Sequence, residues 1–304
     1  MSEDGKAATG PLKGRATGAV KGRYSDLPLR IVSALVLAGS AMWCSWMGGT
    51  VFLLLIAVFS ALILFEFSGM VQSVLPLRVR VGAGLILALV IAAHFVGLPD
   101  SGVLLLLVGA VLLILWESLV RRSGWGGAGL LYAGLPFAAL SALRPGEGGL
   151  FVILFTFACV WGADTFAYFA GKGIGGPKLA PAISPNKTWS GFFGGFAGAI
   201  VISSALALAL GHGVGPASIL LAVVLALFCQ IGDLFESWVK RRFGLKDSGW
   251  IIPGHGGVLD RIDGFIFAIV VLALIALVLP ASGDPAAFGP LSDHLMSRFF
   301  AAPL

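Results

Sequence analysis

The chain has 304 residues, of which 58% are hydrophobic and only 12% are charged, whereas a soluble domain carries about 25% charged residues. This composition excludes an ordinary soluble enzyme and predicts a protein embedded in a bilayer. The net charge of +5 does not indicate nucleic-acid binding. The basic residues lie in the segments between apolar runs, where anionic lipid headgroups are the expected partners.

The chain opens with a polar segment, residues 1–29, that is rich in Gly, Ala, Lys and Arg. It has too little apolar surface to form a core, so we expect a disordered basic cytoplasmic tail. A cleaved signal peptide is the alternative, but the charged stretch is too long and no clear cleavage site follows it. Residues 30–281 are expected to form the membrane-embedded domain. Residues 282–304 are a C-terminal tail that forms either a short interfacial helix or a frayed end.

Apolar runs of a length that can cross a bilayer follow one another along the membrane domain. A spanning helix needs about 20 mostly apolar residues. The runs lie near 30–47, 50–71, 81–98, 101–120, 127–143, 149–170, 190–211, 216–235 and 263–281. They predict an all-α, polytopic integral membrane protein with about nine transmembrane helices.

The basic residues set the orientation of these helices. Lys and Arg accumulate in cytoplasmic loops. With a cytoplasmic N-terminus, 18 of the 20 Lys and Arg residues fall on the cytoplasmic side, and only Arg144 and Arg298 do not. The distribution therefore predicts a cytoplasmic N-terminus and a C-terminus outside.

The last long cytoplasmic loop, residues 232–264, is rich in both acids and bases. Asp233 lies at the inner end of the eighth run, while Asp260 and Asp263 lie at the start of the ninth. Carboxylates at a membrane boundary are costly and mark functional sites. Carboxylates on two helix ends suit a hard cation such as Mg²⁺, with substrate phosphates completing its coordination.

The same loop contains groups that can bind phosphate. If the eighth helix continues inward, Asp233, Ser237 and Lys240 share one face. Glycine backbone N–H groups can approach phosphate oxygens closely, and basic side chains supply positive charge. These groups are Gly254, Gly256, Gly257, Lys240, Arg241, Lys246 and Arg261. The pattern favours phosphoryl or nucleotidyl transfer; a solvated basic loop with an Asp–Arg ion pair is the structural alternative.

A second loop, residues 161–195, adds further candidates. Asp164 is a lone acid in the sixth apolar run; it either binds a cation or substrate, or accepts a hydrogen bond from neighbours such as Thr165. The segment from Ser184 to Thr188, which includes Lys187, opens the seventh run. A helix N-terminus of this kind can receive an anion.

Residues 237–263, termed the signature segment, resemble the signature of phosphatidate cytidylyltransferases. The matching elements are Ser237, Lys240-Arg241, Lys246-Asp247, Gly249, Pro253, His255-Gly256-Gly257, Asp260-Arg261 and Asp263. The resemblance extends to residues 164–168 and 184–189 and covers most of residues 30–281. One departure is Ser190, where the family has an acid; the long basic tail is also not a family feature.

The resemblance implies a metal-dependent nucleotidyltransferase of phospholipid biosynthesis, in the bacterial inner (plasma) membrane with its active site facing the cytoplasm. CTP and phosphatidic acid would give CDP-diacylglycerol and pyrophosphate. Asp233, Asp260 and Asp263 would bind Mg²⁺. The resemblance leaves open whether a second, monovalent cation binds and whether the protein is a homodimer. The catalytic set would be Asp233, Asp260, Lys240, Arg241, Lys246, Arg261 and His255. The substrate-binding set would be Ser184, Lys187, Thr188, Ser237, Asp247, Gly256, Gly257 and Asp164.

Two other functions compete with this one. A membrane transporter with acidic cation-binding residues would place its acids near the midplane of broken helices, often in internal repeats. Here most acids lie at the cytoplasmic boundary and no repeat is visible. A CDP-alcohol phosphatidyltransferase would carry a repeated Asp pattern after an Ala-Arg pair, and that pattern is absent from the sequence.

Overall fold

The computed structural model describes residues 27–252, 256–278 and 290–300. In lipid, backbone polar groups must bond within their own segment, so apolar runs of this length fold as helices. The helices are α1 (Leu27–Met47), α2 (Gly49–Met70), α3 (Leu77–Phe95), α4 (Pro99–Arg121), α5 (Trp125–Leu143), α6 (Gly149–Gly173), α7 (Trp189–Ala209), α8 (Pro216–Arg242), α9 (Leu259–Val278) and α10 (Leu291–Phe299). The strands are β1 (Lys178–Ala180) and β2 (Ser184–Thr188).

Helices α2 to α9 are eight helices long and apolar enough to cross a membrane, and α1 contributes a shorter apolar stretch, Val32–Met47. The prediction of a polytopic, all-helical membrane protein is confirmed. Some helices extend beyond the apolar runs: α8 continues to Arg242, and α9 begins at Leu259. Hydropathy marks only the hydrocarbon depth, whereas helical hydrogen bonding continues into the polar interface. Residues 1–26 of the expected basic tail lie outside the described residues.

The loop between α6 and α7 contains a small antiparallel hairpin that the apolar pattern did not predict. Lys178 pairs with Thr188, and Ala180 pairs with Ser184, with an irregularity in register between them. The strands are too short and too polar to show an apolar alternation, so no signal for them exists in the sequence. Thr188 ends β2 and caps α7, since its hydroxyl oxygen accepts a hydrogen bond from the Gly191 N–H.

The buried apolar side chains form two clusters. One joins α2 to α5 and includes Phe67, Leu106 and Phe137. The other joins α6 to α9 with α10, and it includes Phe155 and Ile269. Large apolar side chains on the outer faces of α1 to α4 remain exposed, as expected for surfaces that meet lipid; examples are Leu35, Leu54, Leu85 and Leu112.

The end of the bundle near the α5–α6 turn is tied by polar contacts. Arg144, an exception to the charge distribution, donates hydrogen bonds to the carbonyls of Ser45 (2.6 Å) and Trp46 (3.1 Å) at the end of α1. At the same turn, Asp293 of α10 accepts a hydrogen bond from Gly148 N–H at 3.2 Å. Arg144 therefore has a structural function that explains a basic residue on this side, because cations stabilise helix C-termini.

Helices α6 and α7 form the most extensive contact between two described elements. Their backbones touch at Gly162 and Gly198: a Cβ added to Gly162 would lie 2.5 Å from the Gly198 carbonyl oxygen. Small residues permit such close approach between membrane helices. The contact places the inner half of α6 directly against α7.

Replacing Gly198 by Ala is expected to force α6 and α7 apart and to lower the free energy of unfolding by about 1–3 kcal/mol, as overpacking does. The control is Gly82→Ala, because Gly82 lies inside α3 with no atom within 4 Å of an added Cβ. Thermal unfolding in detergent would compare the two variants. Equal midpoints for Gly198→Ala and Gly82→Ala would contradict this packing account.

Candidate active site

The two polar loops meet at the opposite end of the helices. The Lys187 ammonium on β2 lies 2.6 Å from a carboxylate oxygen of Asp233 on α8. The Arg241 side chain of α8 also donates to the Ile183 carbonyl in the hairpin, at 3.4 Å. The prediction that both loops lie on one face of the membrane is therefore supported by direct contacts between them.

A second ion-pair group joins α8 to α9 through Lys240. Its ammonium lies 2.5 Å from Glu236 Oε2 and 2.7 Å from Asp260 Oδ1. Glu236 precedes Lys240 by one helical turn, and only 1% of its side chain is exposed. An ion pair this deeply buried requires close geometry to offset the cost of removing the charges from water.

Asp260 is held by the loop that precedes α9. Its carboxylate accepts hydrogen bonds from the Ser248 N–H (3.2 and 3.0 Å) and the Gly257 N–H (3.0 Å). The Gly257 N–H, predicted to meet phosphate, thus donates to Asp260 in this structure. Gly256 has φ of +88°, a conformation that favours glycine, and it pairs with Ile252 across the turn. The predicted residues Gly254 and His255 lie outside the described residues.

Three carboxylates from three helices interact electrostatically: Asp164 of α6, Asp233 of α8 and Asp263 of α9. The Ser237 hydroxyl donates to Asp233 Oδ1 at 3.4 Å, which confirms that these residues share a helix face. Asp263 Oδ1 accepts from the N–H of Gly264 at 2.8 Å. Together with Glu236 and Lys240, these acids form a continuous polar cluster, termed the acid cluster.

Two cavities meet at Asp164. The first, termed the lysine cavity, lies between α6, the hairpin, α7 and α8, and its polar lining includes Asp164, Lys172, Lys178, Lys187, Gln230 and Asp233. The second, termed the apolar groove, lies between α1, α2, α6 and α9. Its lining is apolar except at one end, where Asp164 and Arg261 lie. A polar cavity and an apolar groove therefore share one carboxylate.

The remaining predicted residues lie around this cluster. Thr188 is buried and serves as the cap of α7, while Ser184 pairs with Ala180 at the start of β2. Lys246 and Asp247 are exposed on the loop after α8. Ser190, which stands where an acid was expected, donates to the Gly175 carbonyl at 2.5 Å and so ties the end of α6 to the start of α7.

Glu66 and Glu236 are polar residues of this region that the predicted site left out. Glu66 of α2 is 2% exposed and contacts the signature segment through Ser248, Val258 and Leu259. A lone acid inside an apolar run was the available signal for Glu66. For Glu236, the signal was its position one turn before Lys240.

The carboxylate oxygens of the acid cluster and of Asp260 are ligands of the kind that a hard divalent cation binds. Two buried oxygens in this region, Glu236 Oε1 and the Tyr132 hydroxyl, have no hydrogen-bond partner, and Tyr132 interacts electrostatically with Asp263, Glu236 and Asp233. Within residues 27–252, 256–278 and 290–300, no three His, Cys, Asp or Glu side chains converge on one metal position. The assignment of Asp233, Asp260 and Asp263 as metal ligands therefore stays a prediction.

Comparison with known proteins assigns the chain to a family. A model of the cytidylyltransferase family matches residues 28–279. A phosphatidate cytidylyltransferase of Brucella suis is 40% identical over 274 residues, which is 86% of this chain and 98% of the relative. One from Brucella abortus is 41% identical over 84% of this chain and 94% of the relative. One from Staphylococcus epidermidis is 44% identical over 147 residues, 48% of this chain and 56% of the relative. The signature segment, the polar cluster around it and these similarities agree, and the chain belongs to the phosphatidate cytidylyltransferase family.

Proposed function

We propose that this protein transfers the cytidylyl group of CTP to phosphatidic acid, giving CDP-diacylglycerol and pyrophosphate. The observation that carries the proposal is the pair of compartments that meet at Asp164. The lysine cavity offers three ammonium groups to a polyphosphate. The apolar groove offers a lipid-facing surface that ends at Arg261. A water-soluble nucleotide and a membrane lipid can thus bring their phosphates to one place.

In the proposed reaction, an oxygen of the lipid phosphate attacks the α-phosphorus of CTP. A new P–O bond forms, the bond to the pyrophosphate breaks, and pyrophosphate leaves with the electron pair. The attacking phosphate is already ionised, so no general base is required. Both reactants are polyanions, and Lys187, Lys240 and Arg261 lower the repulsion between them and stabilise the charge that develops.

Asp233, Asp260 and Asp263 would hold a divalent cation, for which Mg²⁺ is the proposed species. When bound, such a cation neutralises phosphate charge and orients the leaving group. Three features support this proposal: the oxygen-only donor set, the unpartnered Glu236 Oε1 and the mutual repulsion among the acids of α6, α8 and α9. Lys187 and Lys240 each hold one of these acids and so keep the site ordered.

We further infer that the acid cluster faces the cytoplasm of a bacterial inner membrane, because basic residues accumulate at this end. A transporter is less well supported. The acids lie at one end of the helices, and their lysine partners neutralise them there, whereas a transport pathway would need a site accessible from both sides.

Membranes that contain the protein should convert labelled CTP and phosphatidic acid to CDP-diacylglycerol. Asp233→Asn and Asp260→Asn should each lower kcat by about 10²- to 10³-fold, because each removes a charge that acts on the phosphates or their cation. The control is Asp100→Asn, at the exposed start of α4 on the far side. Product formation by the parent protein is the direct measurement. Its absence would refute the proposed reaction, and full activity of both variants would refute the assigned roles.

Removal of divalent cations is expected to abolish product formation. Chelation with EDTA, followed by titration with Mg²⁺, should restore activity in a saturable manner, since repulsion between two polyanions is then relieved. The control is the same treatment followed by Na⁺ at matched ionic strength. Activity that survives exhaustive chelation would contradict the metal requirement without affecting the proposed reaction.

The orientation can be measured with single cysteines in a background without Cys44, Cys159 and Cys229, which are all buried. Ser73→Cys lies in the exposed α2–α3 turn and Ser101→Cys at the exposed start of α4. A membrane-impermeant maleimide should label Ser101→Cys in intact cells and Ser73→Cys only after the membrane is opened. The reverse pattern would invert the proposed topology.

A further inference from the structure

Glu66 lies near the end of α2 and is far from the signature segment in sequence. The Glu66 side chain nevertheless contacts that segment. The carboxylate is 2% exposed. Its Oε1 accepts a hydrogen bond from the Val258 N–H at 3.0 Å. Its Oε2 accepts from the Leu259 N–H at 2.8 Å and from the Ser248 hydroxyl at 3.3 Å. Both oxygens of one buried acid are thus used to hold the loop before α9.

The charge of Glu66 is compensated by this loop and by the start of α9. The first N–H groups of a helix have no acceptor within it, and the helix dipole favours an anion at that end. None of the ion pairs among the described residues includes Glu66. Its contacts with Val258, Leu259 and Ser248 therefore stabilise the carboxylate in place of a basic partner.

The loop is packed directly on the Glu66 carboxylate. A Cβ added to Gly249 would lie 2.5 Å from Oε1, and one added to Gly257 would lie 2.7 Å from Oε2. Two glycines that match the family signature therefore have a packing reason to be glycine. The loop can approach the Glu66 carboxylate this closely because Gly249 and Gly257 have no side chains.

Ser248 couples Glu66 to Asp260, the ion-pair partner of Lys240 in the acid cluster. Its N–H donates to both oxygens of Asp260, while its hydroxyl donates to Glu66. Two carboxylates, one from α2 and one from α9, therefore hold the same residue. Leu259, whose N–H bonds to Glu66, directly precedes Asp260, which in turn binds Lys240.

We propose that Glu66 is a positioning residue for the reaction. It holds Ser248, Val258 and the N-terminus of α9 in the conformation that directs Asp260 and Lys240 toward the substrates. This inference rests on the proposed function. The alternative is that Glu66 only fastens α2 to α9, in which case its loss would lower stability and leave the chemistry of folded molecules intact.

The test is Glu66→Gln, which removes the charge and one acceptor oxygen at nearly constant volume. The chain offers a matched control in Glu117→Gln. Glu117 is also fully buried, and its Oε2 accepts from the N–H groups of Gly126 (2.8 Å) and Gly127 (3.3 Å) at the start of α5. The two variants make the same chemical change next to a helix N-terminus. Glu66 contacts the N-terminus of α9, within the signature segment, whereas Glu117 contacts the N-terminus of α5, outside it.

Three quantities would be measured for each variant: kcat and KM for both substrates, the thermal midpoint in detergent, and hydrogen exchange of peptides covering residues 245–262. Glu66→Gln should lower kcat about 10- to 100-fold, the range found when outer contacts that orient active-site groups are lost, and should speed exchange in 245–262. Glu117→Gln should lower the thermal midpoint and leave both kcat per folded molecule and exchange in 245–262 unchanged.

The proposal is overturned if Glu66→Gln keeps the parent kcat, or if exchange in 245–262 does not change. If Glu66→Gln does not fold, Ser248→Ala removes a single hydrogen bond from the same group and should show the same effects on kcat and exchange, at smaller size. Should the parent protein make no CDP-diacylglycerol, the proposed function fails, while the exchange comparison still decides whether Glu66 holds the loop.

Discussion

Carboxylates at the ends of apolar helices need cations or backbone amides within reach, and the organisation of this protein follows from how that need is met. Lys240 lies between Glu236 and Asp260 and so joins α8 to α9. Lys187 brings the hairpin onto α8 through Asp233. Each acid at the membrane boundary therefore determines which helix or strand packs next to it, because that element must supply its cationic partner. Apolar packing alone would leave the rotation of these helices far less constrained, since lipid and helix surfaces are equally apolar.

Much of the architecture could be predicted because hydrophobicity and charge act locally. The nine apolar runs and the cytoplasmic loops follow from composition over windows of about 20 residues. The contacts of Glu66 do not, because they join residues 182 to 193 positions apart. No pattern in one sequence reports which loop an isolated buried acid will meet. The hairpin was missed for a different reason, since its strands have no apolar face.

In the site, too, features set by local sequence were predicted and contacts between distant residues were not. Asp233, Ser237 and Lys240 were placed together by helical periodicity. The structure joins Ser237 to Asp233, whereas Lys240 binds Glu236 and Asp260 instead. For Gly257, by contrast, a free N–H was expected, and the structure uses it to hold Asp260. Residue type indicates what a backbone can do, whereas the partner it actually takes depends on the fold. Asp164 illustrates this too: its place between two cavities depends on six helices and a hairpin that only the folded chain assembles.

The acid cluster and the lysine cavity share one end of the helices, and this has an electrical consequence. In the proposed reaction, the nucleotide, the pyrophosphate and any bound cation arrive and depart through the same face. No charge is carried through the hydrocarbon. A membrane potential shifts the energy of a transferred charge by about 2.3 kcal/mol per 100 mV, but here nothing is transferred across it. The proposed reaction is therefore expected to run at the same rate in an energised and a depolarised membrane.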